Sequence, residues 1–261
     1  MSRFCPLFSS SKGNCCFVGT SGGGVLVDVG VSAKQLKAAL NGIGVLPSAI
    51  GAIFLTHEHS DHVKGLAVFA DTHGIPIYAT YGTLNALQSG NHCPTQARLA
   101  VLPADGIEVN GLYVRNFATS HDVDEPCGYR FDAVDGHAIA VATDTGILTE
   151  ETKDALLGCD LVMLESNHDV HMLKTGPYPM FLKRRILSDE GHLSNDACAA
   201  FLPYLLENGT TRFYLAHLSD HNNTPEIAMQ TSLASFTSRG ARQNHDFELR
   251  VAGLEKTMLT L

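Results

Sequence analysis

Short runs of consecutive apolar residues, each closed by a polar or turn-forming residue, recur along the chain and alternate with stretches of helical spacing. Val25 to Asp28 follows the glycine turn Gly22 to Gly24 and reads as a buried strand ending in a carboxylate. Ile53 to Thr56 and Ile77 to Ala79 read as strands too, as does the segment around Cys16-Phe17-Val18. His62 to Ala70 has the spacing of one helix. Ile107 to Phe117 predicts a hairpin turning at Asn110-Gly111, and Tyr129 to Thr143 a second turning at Asp135-Gly136; both dipeptides accept the positive φ of tight turns. Leu161 to Glu165 and Arg212 to Ala216 are further strands, and Asn195 to Glu207 is helical. Glu248 to Val251 and Met258 to Leu261 supply closing strands.

Strands alternate with helices throughout, with no linker, low-complexity tract or shift of composition. The expectation is an α/β (α+β) protein with residues 1–261 forming a single domain. A chain of 261 residues easily builds a sizeable core. No apolar run approaches the length of a membrane span, and Met1-Ser2-Arg3-Phe4 lacks a signal-peptide profile. The seven cysteines form no C-x-x-C pair and are odd in number, which points away from a disulfide framework and toward the cytoplasm. A net charge of −9 argues against a basic surface that coats nucleic acid, but not against an enzyme acting on it. One local basic cluster, Lys183-Arg184-Arg185 with Lys174 upstream, is either a solvated helix face or a phosphate-binding surface.

The chemistry concentrates at strand ends. Residues 57–62 read His-Glu-His-Ser-Asp-His directly after the strand that ends at Thr56. His57 and His59 are two apart, so in extended chain they leave on the same side. Asp61 and His62 open the next helix and reach a second point nearby. One loop thus offers two adjacent positions for divalent metal; the alternative is a polar loop rich in histidine. Asp28, His121, Asp144 and His217 follow four other strands, where a rigid scaffold presents functional groups.

The order Asp28, His57-x-His59-x-Asp61-His62, His121, Asp144, His217 resembles the metallo-β-lactamase fold superfamily. Further segments resemble its YycJ/WalJ-type exonuclease branch: Phe8 to Asn14 (FSSSKGN), Thr56 to Gly65 (THEHSDHVKG), Leu164 to His168 (LESNH), Gly176 to Pro179 (GPYP), Leu182 to Leu187 (LKRRIL), Ser188 to Asn195 (SDEGHLSN), Leu215 to Ser219 (LAHLS) and Asn222 to Pro225 (NNTP). The branch has an aromatic after Pro179, where this chain has Met180.

The resemblance implies an αββα four-layer sandwich with a dinuclear centre of two divalent ions, Zn or Mn. His57, His59 and His121 would hold the first ion and Asp61, His62 and His217 the second, with Asp144 bridging them. Asp28 would fix a histidine tautomer and the loop. A metal-bridging hydroxide would attack phosphorus, with Asp61 among the catalytic groups. Glu165 and His192 would act together near the leaving group, since a carboxylate beside an imidazole favours its protonated form. Ser194 or Asn195, at a helix N-terminus, would bind a phosphate oxygen, although Ser194 also suits a plain N-cap. Lys183, Arg184, Arg185 and His168 are the remaining candidate substrate contacts.

The implied function is a dinuclear metal-dependent phosphodiesterase, a 5′→3′ exonuclease with nucleic acid, DNA by preference, as its substrate and no membrane partner. Two rivals stand beside it. One is a small-molecule hydrolase of the same fold, cleaving a thioester, lactone or cyclic phosphodiester. The other is a metal-carrying sensor or binding protein without turnover.

Overall fold

The computed structural model describes residues 1–261. Its strands are β1 (Arg3–Phe8), β2 (Cys15–Thr20), β3 (Gly23–Val27), β4 (Ile50–Phe54), β5 (Ile77–Ala79), β6 (Leu99–Val101) and β7 (Ile107–Val109). They continue as β8 (Leu112–Ala118), β9 (Cys127–Ala133), β10 (Ala138–Ala142), β11 (Leu161–Glu165), β12 (Arg212–Ala216), β13 (Glu248–Val251) and β14 (Leu259–Thr260). The helices are α1 (Ala33–Gly42), α2 (Ser60–Val63), α3 (Leu66–His73), α4 (Tyr81–Ser89), α5 (Glu150–Leu156), α6 (Val170–Thr175), α7 (Met180–Ile186), α8 (Asn195–Glu207) and α9 (Pro225–Ser238). No helix is long and apolar enough to cross a membrane. The chain divides into two compact units, Met1–Asn116 with Val123–His137 and Gly253–Leu261, and Phe117–Asp122 with Ala138–Ala252.

The first unit is built on a sheet of order β14-β1-β2-β3-β4-β5-β6. β14, β1, β2 and β3 pair antiparallel, and β3 through β6 run parallel. Of the parallel strands β3 and β4 are buried almost throughout, which is why they read as continuous apolar runs, whereas the edge strand β6 is partly exposed. Phe17, Leu26, Ile53 and Phe69 pack in one core with Leu36 and Leu40 of α1. That helix starts at a capping box in which Ser32 and Gln35 satisfy each other's backbone N–H. The hairpin of β7 and β8 turns where expected, with Asn110 and Gly111 both at positive φ.

The helix expected over His62 to Ala70 is two helices, α2 and α3, broken at Lys64-Gly65. The Gly65 N–H donates to the Val29 carbonyl at 2.9 Å, and a Cβ at Gly65 would collide with the Val31 carbonyl. The chain passes too close there for any side chain, so tertiary contact overrides helical spacing.

The second unit contains four parallel strands, β10 to β13, with Ala142 opposite Leu164 and Glu165 opposite Ala216. Its core joins Val162, Leu164, Phe213 and Leu215 to Leu202 of α8 and Phe236 of α9. Because β10, β11 and β12 are in register and parallel, Asp144, Glu165 and His217 emerge together at their carboxyl ends. Open parallel sheets bind ligands at that edge.

Candidate metal centre

In the first unit, the β3–β4 register sets Asp28 beside Thr56, and one carboxylate organises two histidines. Asp28 Oδ1 accepts the Thr56 backbone N–H at 2.9 Å. Asp28 Oδ2 accepts the Thr56 hydroxyl at 2.9 Å and His62 Nδ1–H at 2.8 Å. With its own proton given to Asp28, Thr56 Oγ1 accepts His57 Nδ1–H at 3.0 Å. Both imidazoles therefore carry hydrogen on Nδ1 and a lone pair on Nε2, the form a metal requires. The His57 ring centre lies 4.6 Å from that of His59 and 4.1 Å from that of His62. Asp61 and His62 sit in α2, with His59 as its N-cap.

Asn14 reaches this group from the Ser9 to Asn14 loop. Its Nδ2 lies 3.1 Å from His62 Nε2 and 3.4 Å from Asp61 Oδ2, and its backbone N–H donates to the Asp61 carbonyl at 2.8 Å. The sequence presents this loop only as a segment of the family resemblance, with no role for Asn14. Asn14 was the readable signal, because a lone amide closing a Ser/Gly loop often serves a specific acceptor.

In the second unit, Glu165 is fully buried and is the hub. Oε1 accepts Nδ1–H from both His192 and His217 at 2.8 Å each. Oε2 accepts the backbone N–H groups of Thr145 at 2.9 Å and Leu193 at 3.1 Å. Burial pushes the Glu165 pKa up, but attraction and hydrogen bonding from His192, then His217, outweigh it and hold the carboxyl well below its usual range. The carboxylate thus leaves the lone pair of His217 on Nε2. Asp144, Glu165, His192 and His217 each offer a ligand atom within 4.8 Å of the others.

His121 is fixed by a different device. Its Nδ1–H donates to the Gly191 carbonyl at 3.0 Å, which again turns the Nε2 lone pair outward. Neutral imidazoles so oriented, together with ionised carboxylates, are a donor set that fits Zn²⁺ or Mn²⁺.

Asp28, Asp144 and His217 share a backbone feature: φ is 60°, 57° and 54°. Left-handed backbone at non-glycine residues is uncommon and gathers at functional sites. Here it turns each side chain sharply off the end of its strand.

The expected substrate contacts divide. Ser194 is the N-cap of α8, its hydroxyl accepting the Ala197 N–H at 3.2 Å. Asn195 is buried in a polar network, exchanging amide bonds with Asn223 at 2.9 Å and accepting from Ser166 at 2.6 Å. Its side chain faces inward, away from any substrate. Lys183 is buried as well, and its ammonium donates to the carbonyls of Lys174 and Gly176 at 2.8 and 2.7 Å. Arg184 and Arg185 are both exposed, and Arg185 is paired with Asp122. His168 is buried with neither ring nitrogen hydrogen-bonded, and burial pulls its pKa down to about 4.

Comparison with known proteins agrees with this geometry. A Beta-lactamase superfamily domain matches residues 24–218. The chain is 37% identical over 249 residues to Exodeoxyribonuclease YycJ of Bacillus anthracis, covering 95% of this chain and 94% of that protein. It is 34% identical over 250 residues to Exodeoxyribonuclease WalJ of Streptococcus pneumoniae serotype 2 (strain D39 / NCTC 7466), covering 95% and 93%. The crystal structure of the metallo-β-lactamase fold protein YhfI from Bacillus subtilis superposes with a TM-score of 0.72 over 96% of each chain at 15% identity, which shows the fold. The sheets and helices are those of the metallo-β-lactamase α/β sandwich. The chain belongs to the metallo-β-lactamase superfamily, in its YycJ/WalJ branch, and is a metal-dependent hydrolase.

Proposed function

We propose that this chain is a 5′→3′ DNA exonuclease with a dinuclear metal centre, acting as one domain over residues 1–261 in the cytoplasm. The observation that carries the reading is Glu165 shared between His192 and His217. One carboxylate there serves both a metal-type histidine and a histidine available for proton transfer. Two relatives at 34–37% identity over nearly their whole length, both named exodeoxyribonucleases, support DNA as the substrate. Seven free thiols suit a reducing compartment.

In this reading His57, His59 and His121 hold one ion, Asp61, His62 and His217 the other, and Asp144 serves both. Bound Zn²⁺ or Mn²⁺ supplies a nucleophile at neutral pH and offsets charge on the phosphoryl oxygens. The chain's own groups do the rest. His192, held through Nδ1 by Glu165, gives a proton from Nε2 to the departing oxygen. Glu165 stays ionised and orients both imidazoles. The first N–H groups of α8 and the Arg184 guanidinium attract the phosphate backbone.

The test is degradation of 5′- and 3′-end-labelled single- and double-stranded DNA, with RNA and a thioester alongside, in Mn²⁺ or Zn²⁺. The 5′ label is released first and DNA is preferred, while Asp144→Ala and His59→Ala lose about three orders of magnitude in rate. Wild-type rates in those variants, or turnover confined to the thioester, overturn the reading.

A further inference from the structure

The reaction above leaves unused the most exposed phenylalanine or tyrosine ring of the chain. Phe181, in the first turn of α7, is 74% exposed, and Met180 beside it 63%. Arg184, also exposed, follows Met180 by four residues and Phe181 by three, so helical spacing gathers all three on one face. Exposed Leu187 continues that face by another turn. The opposite face of α7 is inside, where Lys183 and Ile186 are buried. Single apolar side chains in water are ordinary, but neighbouring ones joined to a cation make a surface suited to a partner.

Charge and position say which partner. From Val170 to Ser188 the sequence has four lysines and arginines and no aspartate or glutamate, in a chain of net charge −9. Lys183 is spent on the Lys174 and Gly176 carbonyls and Arg185 on Asp122, which leaves Lys174 and Arg184 as the cations of this surface. A purely apolar partner has no use for them. An anionic chain that carries flat apolar rings matches both parts, and a nucleic-acid strand is such a chain. The position is close to the chemistry. The His192 backbone N–H donates to the Ile186 carbonyl at 3.0 Å, so α7 ends against the histidine given the proton-transfer role. Phe181 lies five residues back, about 7.5 Å along the helix axis. That is about two nucleotide steps at the 3.4 Å spacing of one DNA strand.

We propose that the exposed face of α7 is a platform for unpaired DNA, in which Phe181, flanked by Met180, stacks on a base of the strand whose phosphate Arg184 attracts. The inference rests on the DNA reading above and adds a substrate form to it. The strand is engaged unpaired and with little sequence preference, because every base offers a π-face.

The chain has no tryptophan, so Phe181→Trp installs a single indole as a reporter. The probes are a labelled oligothymidine with phosphorothioate links, which resist cleavage, and an abasic strand of the same length and charge. Each is titrated into the Mn²⁺-loaded protein and followed by anisotropy. Phe181→Ala loses about tenfold in affinity for the oligothymidine and nothing for the abasic strand, with an unchanged salt slope. Arg184→Ala weakens both strands alike. The emission of Phe181→Trp is quenched by the oligothymidine and not by the abasic strand. If Phe181→Ala binds both strands as wild type does and the indole responds to neither, while wild type degrades DNA, the inference falls and the DNA reading stands. If wild type neither binds nor degrades DNA, the two fall together. A Phe181→Ala protein that passes from dimer to monomer in sedimentation, with oligothymidine binding intact, makes this face a contact between copies and also overturns the inference.

Discussion

Glu165 accepts His217 Nδ1–H at 2.8 Å from a fully buried position, and the same oxygen takes His192. Glutamine at 165 fills the same volume but brings an amide NH₂. One of its ends must then face either two imidazole N–H groups or the Thr145 and Leu193 backbone N–H groups. Glu165→Gln should therefore lose about 3 kcal/mol of stability. Affinity for the metal at His217 should fall about 10- to 100-fold. Denaturant unfolding and metal titration of the same preparation check both effects, and a variant unchanged in either would show that Glu165 is not the organising group.

Asp28→Asn separates charge from backbone. Asparagine tolerates the φ of 60° nearly as well as aspartate, so the turn survives. What is lost is an acceptor for Thr56 and His62, and with it the tautomer of His62 and His57. Metal affinity should drop at least tenfold while the melting temperature moves by only a few degrees. A large loss of stability with normal metal binding would assign Asp28 to folding alone.

Three adjacent basic residues should behave in three ways. Lys183→Met leaves the Lys174 and Gly176 carbonyls unsatisfied and should cost about 1–2 kcal/mol, without changing DNA binding. Arg184→Ala should leave stability unchanged and reduce the salt slope of DNA binding by about one phosphate contact. Arg185→Met breaks the two-point pair with Asp122 and should cost at most about 1 kcal/mol, with metal affinity unchanged. Anisotropy on a labelled duplex across a salt series, with thermal melts, distinguishes the three; a uniform effect of all three would restore a single basic patch.

His168 makes stability depend on pH in a defined window. Its folded pKa of about 4 lies below the ordinary 6.5, so the unfolded chain takes up the proton first as pH falls. The stabilisation is complete above pH 6.5 and is lost between there and pH 4, by at most about 3 kcal/mol. Urea unfolding in EDTA at pH 7.5 and 4.5 should show a smaller drop for His168→Gln than for wild type. Equal drops would place His168 outside the acid response.

The strand ends were legible because fully buried parallel strands read as apolar runs, so the polar residue closing each run stands out. The His57 to His62 motif, Asp144 and His217 were found that way, and the two turn dipeptides fixed the ends of their hairpins. Other relationships run through space and leave no local signature. The bond from Glu165 to His217 spans 52 residues, and that from Asn14 to His62 spans 48. Residue type alone likewise hid burial: Lys183 and Asn195 look like surface groups but are held inside by carbonyls and by Asn223. The break at Gly65 depends on a neighbouring carbonyl that no spacing rule contains.

The left-handed backbones at Asp28, Asp144 and His217 set fold robustness against activity. Each holds a conformation that costs on the order of 1–2 kcal/mol in an L-residue other than glycine, asparagine or aspartate, and His217 bears most of it. A library of this protein selected only for heat resistance would therefore be drawn toward glycine at 217, where the strain vanishes along with the imidazole. Directed stabilisation has to hold these three positions fixed, or it will enrich well-folded molecules that no longer turn over substrate.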